Sequence, residues 1–447
     1  MTSLQRKASV ENFKPKTSHL TRSSFWHIWM LCLLLLSITA NAQEQRADSA
    51  IVSYLESEYR VRFSDNNSIV LFKNGQEKFD DLFTAVRQAK STIHLEYFNF
   101  RNDSISALLF DLLAERVKAG VKVRALFDGF GNSSNNRPLK KHHIDTLRQR
   151  GIEIYEYDKL RFPWINHALY RDHRKIVVID GVVAYTGGMN VADYYIIGKP
   201  EFGDWRDIHA RVEGDAVAEL QKAFLDFWNE VTNQDVKGPD LYPGYRTSNG
   251  LFTGLKTDTT ATKYRKHVGF VDRVPNETPD IIRNTFVNCI ENAHHSIYII
   301  NPYFTLNKAI KRALKKALKR GVKVHIMISD KSDIPITPRI VDHQAHRLMK
   351  RGADVYVYTG GFHHSKIMMI DEQVSFIGSA NLNSRSLRYD YECNLLIDDS
   401  CTTKELLHIF NVDTQTRCYK LTPETWKKKS KWHRFQSWFF QILTPFV

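Results

Sequence analysis

His173-Arg174-Lys175-Ile176-Val177-Val178-Ile179-Asp180, running on to Gly187-Gly188-Met189-Asn190, recurs as His364-Ser365-Lys366-Ile367-Met368-Met369-Ile370-Asp371 with Gly378-Ser379-Ala380-Asn381. Both copies obey H-x-K-x4-D-x6-G-[GS]-x-N. A single histidine two residues before a lysine carries little information, but a doubled pattern with matching tails does. In a strand, residues two apart share a face, so His and Lys are expected on one face of a strand. The apolar run that follows reads as buried, the aspartate as the turn, and the glycine pair as backbone that lets a ligand approach closely.

Outward from these segments the chain repeats itself. Helical patterns end in Gly120 and Gly321, each followed by a short apolar strand beginning Val121-Lys122-Val123 or Val322-Lys323-Val324. Gly151 and Gly352 punctuate a second such turn, and both pairs of glycines are 201 residues apart. A period this long indicates a duplicated domain rather than a solenoid. Helices alternating with short strands predict an α/β fold.

The doubled signature resembles the phospholipase D superfamily, and the likeness spans nearly all of the chain after its leader. Gly187–Tyr195, Trp205–Gly214 and Ser379–Ser386 leading to Glu392 are similar to bacterial cardiolipin synthases. The resemblance implies two tandem α/β/α sandwich domains, related by a pseudo-twofold axis, with one active site shared at their interface. The expected division is a leader over 1–42, domains over 43–235 and 261–425, a linker over 236–260, and a tail over 426–447.

The chemistry suits these residue types. A phosphodiester is an anion that resists nucleophiles and needs its leaving group protonated. Two imidazoles supply a nucleophile and a proton donor near neutral pH. The resemblance implies a phosphohistidine, with His173 as nucleophile and His364 as acid and base, or the reverse. Lys175, Lys366, Asn190 and Asn381 are expected around the non-bridging oxygens, and Ser379 adds a hydroxyl that its counterpart Gly188 lacks. Asp207 and Glu392 match carboxylates that orient the histidines in relatives. Asp180 and Asp371 complete the signature and are expected to hold its turn. No cofactor or metal is required; His343, His346 and His363 read as packing or solvated residues.

Substrate class follows from the flanks. Before its motif the first half carries an insertion with Phe162, Pro163, Trp164, Ile165, His167 and Tyr170, aromatic chemistry suited to a lipid–water boundary. The tail places Trp432, Phe435, Phe439, Ile442 and Phe446 at helical spacing behind a lysine cluster, as an interfacial helix does. The formal charge of +14 favours polyanions, either nucleic acid or acidic lipid. The leader has a basic flank, an apolar run over Phe25–Ile38 and Ala40-Asn41-Ala42, the pattern of a secretory signal peptide, with an uncleaved anchor as the alternative. Either places the body outside a bacterial cell membrane. Five cysteines without a CxxC pair read mostly as buried free thiols. Together with these features, the resemblance implies a phosphatidyltransferase acting on phosphatidylglycerol at an acidic membrane and making cardiolipin. Alternatives are a secreted phospholipase D that uses water and an exported nuclease; the aromatic flanks weigh against nucleic acid.

Overall fold

Helix Lys308–Arg320 illustrates how the local sequence builds the layers. Asn307 caps it by accepting from the Ile310 amide at 3.0 Å, and Gly321, at φ +90°, ends it. Ile310, Ala313, Leu314 and Ala317 bury one face, while lysines and arginines cover the other. Burial of Ile310 and Leu314 contributes about 2 kcal/mol each before ordering costs, and Leu314→Lys would break the contact.

The computed structural model describes residues 48–159, 169–243 and 265–446. The leader, most of the aromatic insertion and most of the linker lie outside the described residues. Residues Asp48–Val447 form one compact unit.

Its 15-stranded sheet repeats one strand order twice. From the middle outward, the first half runs Phe63–Phe72, His209–Glu213, Val183–Gly187, Ile176–Ile179, Thr92–Tyr97, Lys122–Asp128 and Glu153–Tyr157. The second runs Lys266–Arg273, Glu392–Asp398, Val374–Gly378, Ile367–Ile370, Ser296–Ile300, Lys323–Ser329 and Asp354–Tyr358, with Cys418–Lys420 added at its edge. The two innermost strands pair antiparallel, Phe63 opposite Gly269, so the duplication closes into one continuous sheet. Helices cover both faces. One core lies beneath the helices of each half, and a third, on the other face, contains Val178, Ala210 and Trp228 with Val268, Leu395 and Phe410 from across the joint.

The four described cysteines are unpaired; Cys289 and Cys393 are buried. Among the described residues no helix is long and apolar enough to cross a membrane.

Candidate active site

The motif strands begin at Ile176 and Ile367, so His173, Lys175, His364 and Lys366 precede the strands instead of lying in them. This corrects the expectation of a shared strand face. The chain leaves the sheet to pair with the opposite half: His173 donates its amide to the Tyr391 carbonyl at 3.0 Å, and Gly361–His363 pairs in parallel with Asp204–Arg206. Each histidine is thereby set beside the segment that carries a carboxylate of the other half.

The carboxylates are crossed accordingly. Nδ1 of His173 is 3.0 and 3.1 Å from the two oxygens of Glu392, and Nδ1 of His364 is 2.7 Å from Asp207 Oδ2. Both carboxylates are fully buried. Lys175 Nζ donates to the carbonyl of His173 at 2.5 Å, and Lys366 donates to that of His364. A hollow of about 350 Å³ is lined by both histidines and Asn190, with Phe98, Tyr194, Phe202, Trp205 and Tyr303 among its walls. With Nδ1 engaged, Nε2 of each imidazole is the nitrogen left for a ligand. A larger cavity, about 600 Å³, includes Arg174 and Asp272 but neither histidine, so size alone does not locate the chemistry.

Ser379 departs from its expected place at the phosphate. Its hydroxyl donates to Glu392 and accepts from the Cys393 amide at 3.0 Å. In the first half a Cβ at Gly188 would overlap the Asp207 carboxylate. The glycine therefore makes room for the protein's own carboxylate, not for a ligand as expected. Asp180 and Asp371 stand at the far end of the motif strands, away from the imidazoles, at φ +53° and +51°. Asp180 accepts from the amides of Lys90, Ser91 and Thr92 at 2.7–3.0 Å, and Asp371 from those of His294, His295 and Ser296 at 2.8 Å. They tie the motif strand to its neighbour and do not touch the hollow. Asn190 and Asn381 are buried, each with a side-chain oxygen that has no hydrogen-bond partner among the described residues.

Residues 82–227 and 286–414 match the family described as cardiolipin synthase, phospholipase D-like domain. The chain is 33% identical over 389 residues to the major cardiolipin synthase ClsA of Bacillus subtilis, covering 86% of this chain and 76% of that protein. It is also 33% identical over 384 residues to a cardiolipin synthase of Staphylococcus aureus, covering 86% and 74%. The chain belongs to the phospholipase D-like cardiolipin synthase family. Among solved structures, a phosphatidylserine synthase of Haemophilus influenzae superposes with a TM-score of 0.65 over 89% of this chain and all of that one, at 14% identity. A polyphosphate kinase of Porphyromonas gingivalis gives 0.51 over 80% and 49%, at 13% identity. These two likenesses are of fold.

As a member of this family the protein is a phosphatidyltransferase of phospholipid biosynthesis, and its electrostatics suit anionic substrates. Burial holds the His173 imidazole down at about 4, with Glu392 opposing, and lowers His364 as well. Burial also brings Lys175 to about 8 and Lys366 to about 7. Burial pushes Asp207 and Glu392 up, but their imidazole partners and the nearby lysines outweigh it, and both end below the ordinary carboxylate range. These shifts favour ionised carboxylates and neutral imidazoles. An incoming phosphodiester brings negative charge that favours the protonated lysines and one protonated imidazole. Among the described residues no group of three His, Cys, Asp or Glu side chains is gathered as metal ligands would be.

Sequence reasoning passed over Arg174, the residue between His173 and Lys175. It is buried and reaches Glu96 at 2.7 Å and Asp272 at 3.0 Å, which ties the first motif to a strand of the second half. A second charge beside Lys175, where the other copy of the motif has Ser365, was the available signal. Lys78 and His209 were also missed: both are fully buried, and neither ring nitrogen of His209 has a hydrogen-bond partner among the described residues.

Proposed function

We propose that the protein joins two phosphatidylglycerols into cardiolipin and glycerol through a phosphohistidine. The observation that carries this is the pair of imidazoles on one hollow, each with Nδ1 held by a buried carboxylate of the opposite half. Nε2 of His173 attacks phosphorus and a P–N bond forms. His364 gives its proton to the glycerol oxygen as the P–O bond breaks. His364 then takes the proton of the second lipid's glycerol hydroxyl, whose oxygen attacks phosphorus, and the P–N bond breaks. The assignment of His173 as nucleophile is supported by its greater side-chain exposure, 14% against 7% for His364. Lys175 and Lys366 balance the charge of the phosphoryl oxygens, with the amides of Asn190 and Asn381 as further donors.

An acidic bilayer is the partner we infer for the surface. Helix Lys431–Phe439 turns His433 to the body, 2.6 Å from Asp342, and Lys429, just ahead of the helix, donates to the same carboxylate at 2.6 Å. Trp432, Phe435, Trp438, Phe439 and Ile442 remain exposed, which inverts the usual arrangement and suits insertion beside basic residues. With the secretory pattern of the leader, this favours action on the outer side of a bacterial membrane.

The test is product analysis on phosphatidylglycerol vesicles. Cardiolipin with matching glycerol, and an acid-labile phosphoryl adduct lost in His173→Ala, is the expected result. Phosphatidic acid without cardiolipin would make the enzyme a hydrolase, and cleavage of DNA or RNA alone would make it a nuclease.

A further inference from the structure

Lys199 places an ammonium beside the imidazoles with no described carboxylate within ion-pairing distance. It lines the same hollow as His173 and His364, and among the described residues it makes no ion pair or side-chain hydrogen bond. Its charge is held by rings instead: Nζ stands 4.5 Å from the centroid of Tyr194, 4.6 Å from Trp205 and 5.8 Å from Phe202. An aromatic box positions a cation through ring quadrupoles and leaves its net charge in place. Asp333, on the same hollow, acts on the ammonium from beyond ion-pairing distance and is itself bound by the Tyr303 hydroxyl at 2.5 Å.

The other cations of this region are committed. Arg101, also on the hollow, is paired with Asp103 at 3.0 Å and donates to Asn136. Arg385, in the loop that follows the second motif, is paired with Asp390 at 3.1 Å. Lys175 and Lys366 are bound to the carbonyls of the histidines themselves, and their charge serves the donor phosphate between the imidazoles. The backbone of Lys199 is fixed in a tight turn, its amide donating to Gly203 at 2.9 Å and its carbonyl accepting from Gly203 at 2.7 Å. Lys331 of the second half holds that turn by donating to the Phe202 carbonyl at 3.1 Å.

Trp205 sets the spacing. Its ring is 5.7 Å from that of His364 and 4.6 Å from the Lys199 ammonium, so one side chain contacts both the imidazole and the cation. In the second half-reaction the attacking oxygen of phosphatidylglycerol belongs to a glycerol whose far end, three carbons on, carries another phosphate. Water and free glycerol carry none. Only a lipid acceptor therefore brings an anion that must be neutralised one step away from the reacting phosphorus.

We propose that Lys199, held by Tyr194, Trp205 and Phe202, binds the phosphate of the acceptor phospholipid and so directs the phosphoenzyme to a lipid hydroxyl in preference to water. The proposal rests on the transfer reaction above. It assigns the two substrates to different sides of the hollow: the donor phosphate between the histidines, the acceptor phosphate at Lys199.

The experiment measures the ratio of cardiolipin to phosphatidic acid made by the full chain on phosphatidylglycerol vesicles. Both products come from one intermediate, so their ratio does not depend on how much of a variant is folded. Lys199→Gln is expected to lower that ratio by about tenfold or more, and Lys199→Arg to hold it within about threefold of the parent. With deuterated glycerol as the acceptor, which has no phosphate, partition between glycerol and water should be the same in Lys199→Gln and the parent. An unchanged cardiolipin ratio in Lys199→Gln, whatever the total rate, would overturn the proposal. So would an equal loss of transfer to glycerol, since the phosphate would not be what is recognised. A parent protein that makes no cardiolipin would refute the transfer reaction itself, a distinguishable result.

Discussion

Replacing Glu392 with glutamine removes one charge from the centre while keeping its shape. The carboxylate is fully buried, meets His173 Nδ1 at 3.0 and 3.1 Å and accepts the Ser379 hydroxyl. Glutamine retains an acceptor for Nδ1 but no negative charge opposite an imidazole that becomes cationic when protonated or phosphorylated. A hydrogen bond to a charged group contributes about 1.5–3 kcal/mol, and about 1.4 kcal/mol is a factor of ten in rate. The expected fall in kcat on phosphatidylglycerol vesicles is therefore about 10- to 150-fold. Nitrogen-15 spectra of the imidazoles test the crossing separately. Glu392→Gln should move the His173 signals and leave those of His364, with Asp207→Asn doing the converse. A loss in kcat smaller than about threefold would remove Glu392 from the machinery. A response of His364 instead of His173 would refute the crossed arrangement.

Other substitutions divide framework from chemistry. Asp371→Ala leaves three amides without their acceptor; it should cost about 3 kcal/mol of unfolding free energy, measured by urea titration, while kcat per folded molecule changes little. Gly188→Ala should drive Asp207 from His364 and lower kcat by about a hundredfold or more, with the His173 signals unmoved; retained activity would show that the carboxylate can yield. Burial lowers His94 to about 4, and its ring is fixed by Gln221 at 3.0 Å and Arg124 at 3.3 Å. Since the unfolded imidazole titrates near 6.5, its contribution is present above that pH and is lost as pH falls towards 4. The loss is about 3 kcal/mol, and stability measured from pH 7 to 4 should fall less steeply in His94→Gln. For the tail, an environment-sensitive dye at Ile442→Cys in a Cys401→Ser background should shift to the blue on phosphatidylglycerol vesicles. Unchanged emission would mean the exposed ridge does not enter the bilayer.

The duplication was legible because it is written locally. Helix-ending Gly120 and Gly321 sit at φ +91° and +90°, as backbone sterics demand of residues that stop a helix and re-enter a strand. The apolar runs after Lys175 and Lys366 are buried strands for the same near-neighbour reason. Where sequence reasoning misplaced residues, the cause was long-range. Strand periodicity put His and Lys within the strand, because it could not register that the chain leaves the sheet to meet the other half. Ser379 looked like a ligand for phosphate, but the longer Glu392 side chain gives its hydroxyl a partner, while the shorter Asp207 needs Gly188 to leave room.

The sequence by itself determined that there are two halves, that each carries an imidazole, a lysine and an orienting acid, and that each half builds an α/β layer. Those are properties of spacing and side-chain type. Only the tertiary structure decided which acid serves which histidine, because Glu392 and Asp207 reach the imidazoles through backbone pairing between segments distant in sequence, the partners being 219 and 157 residues apart. The same closure brought Trp205 of the first half to His364 of the second and set the Lys199 side chain beside that ring. Packing across the joint, which no local pattern encodes, turned two copies of one motif into a single unequal-sided site.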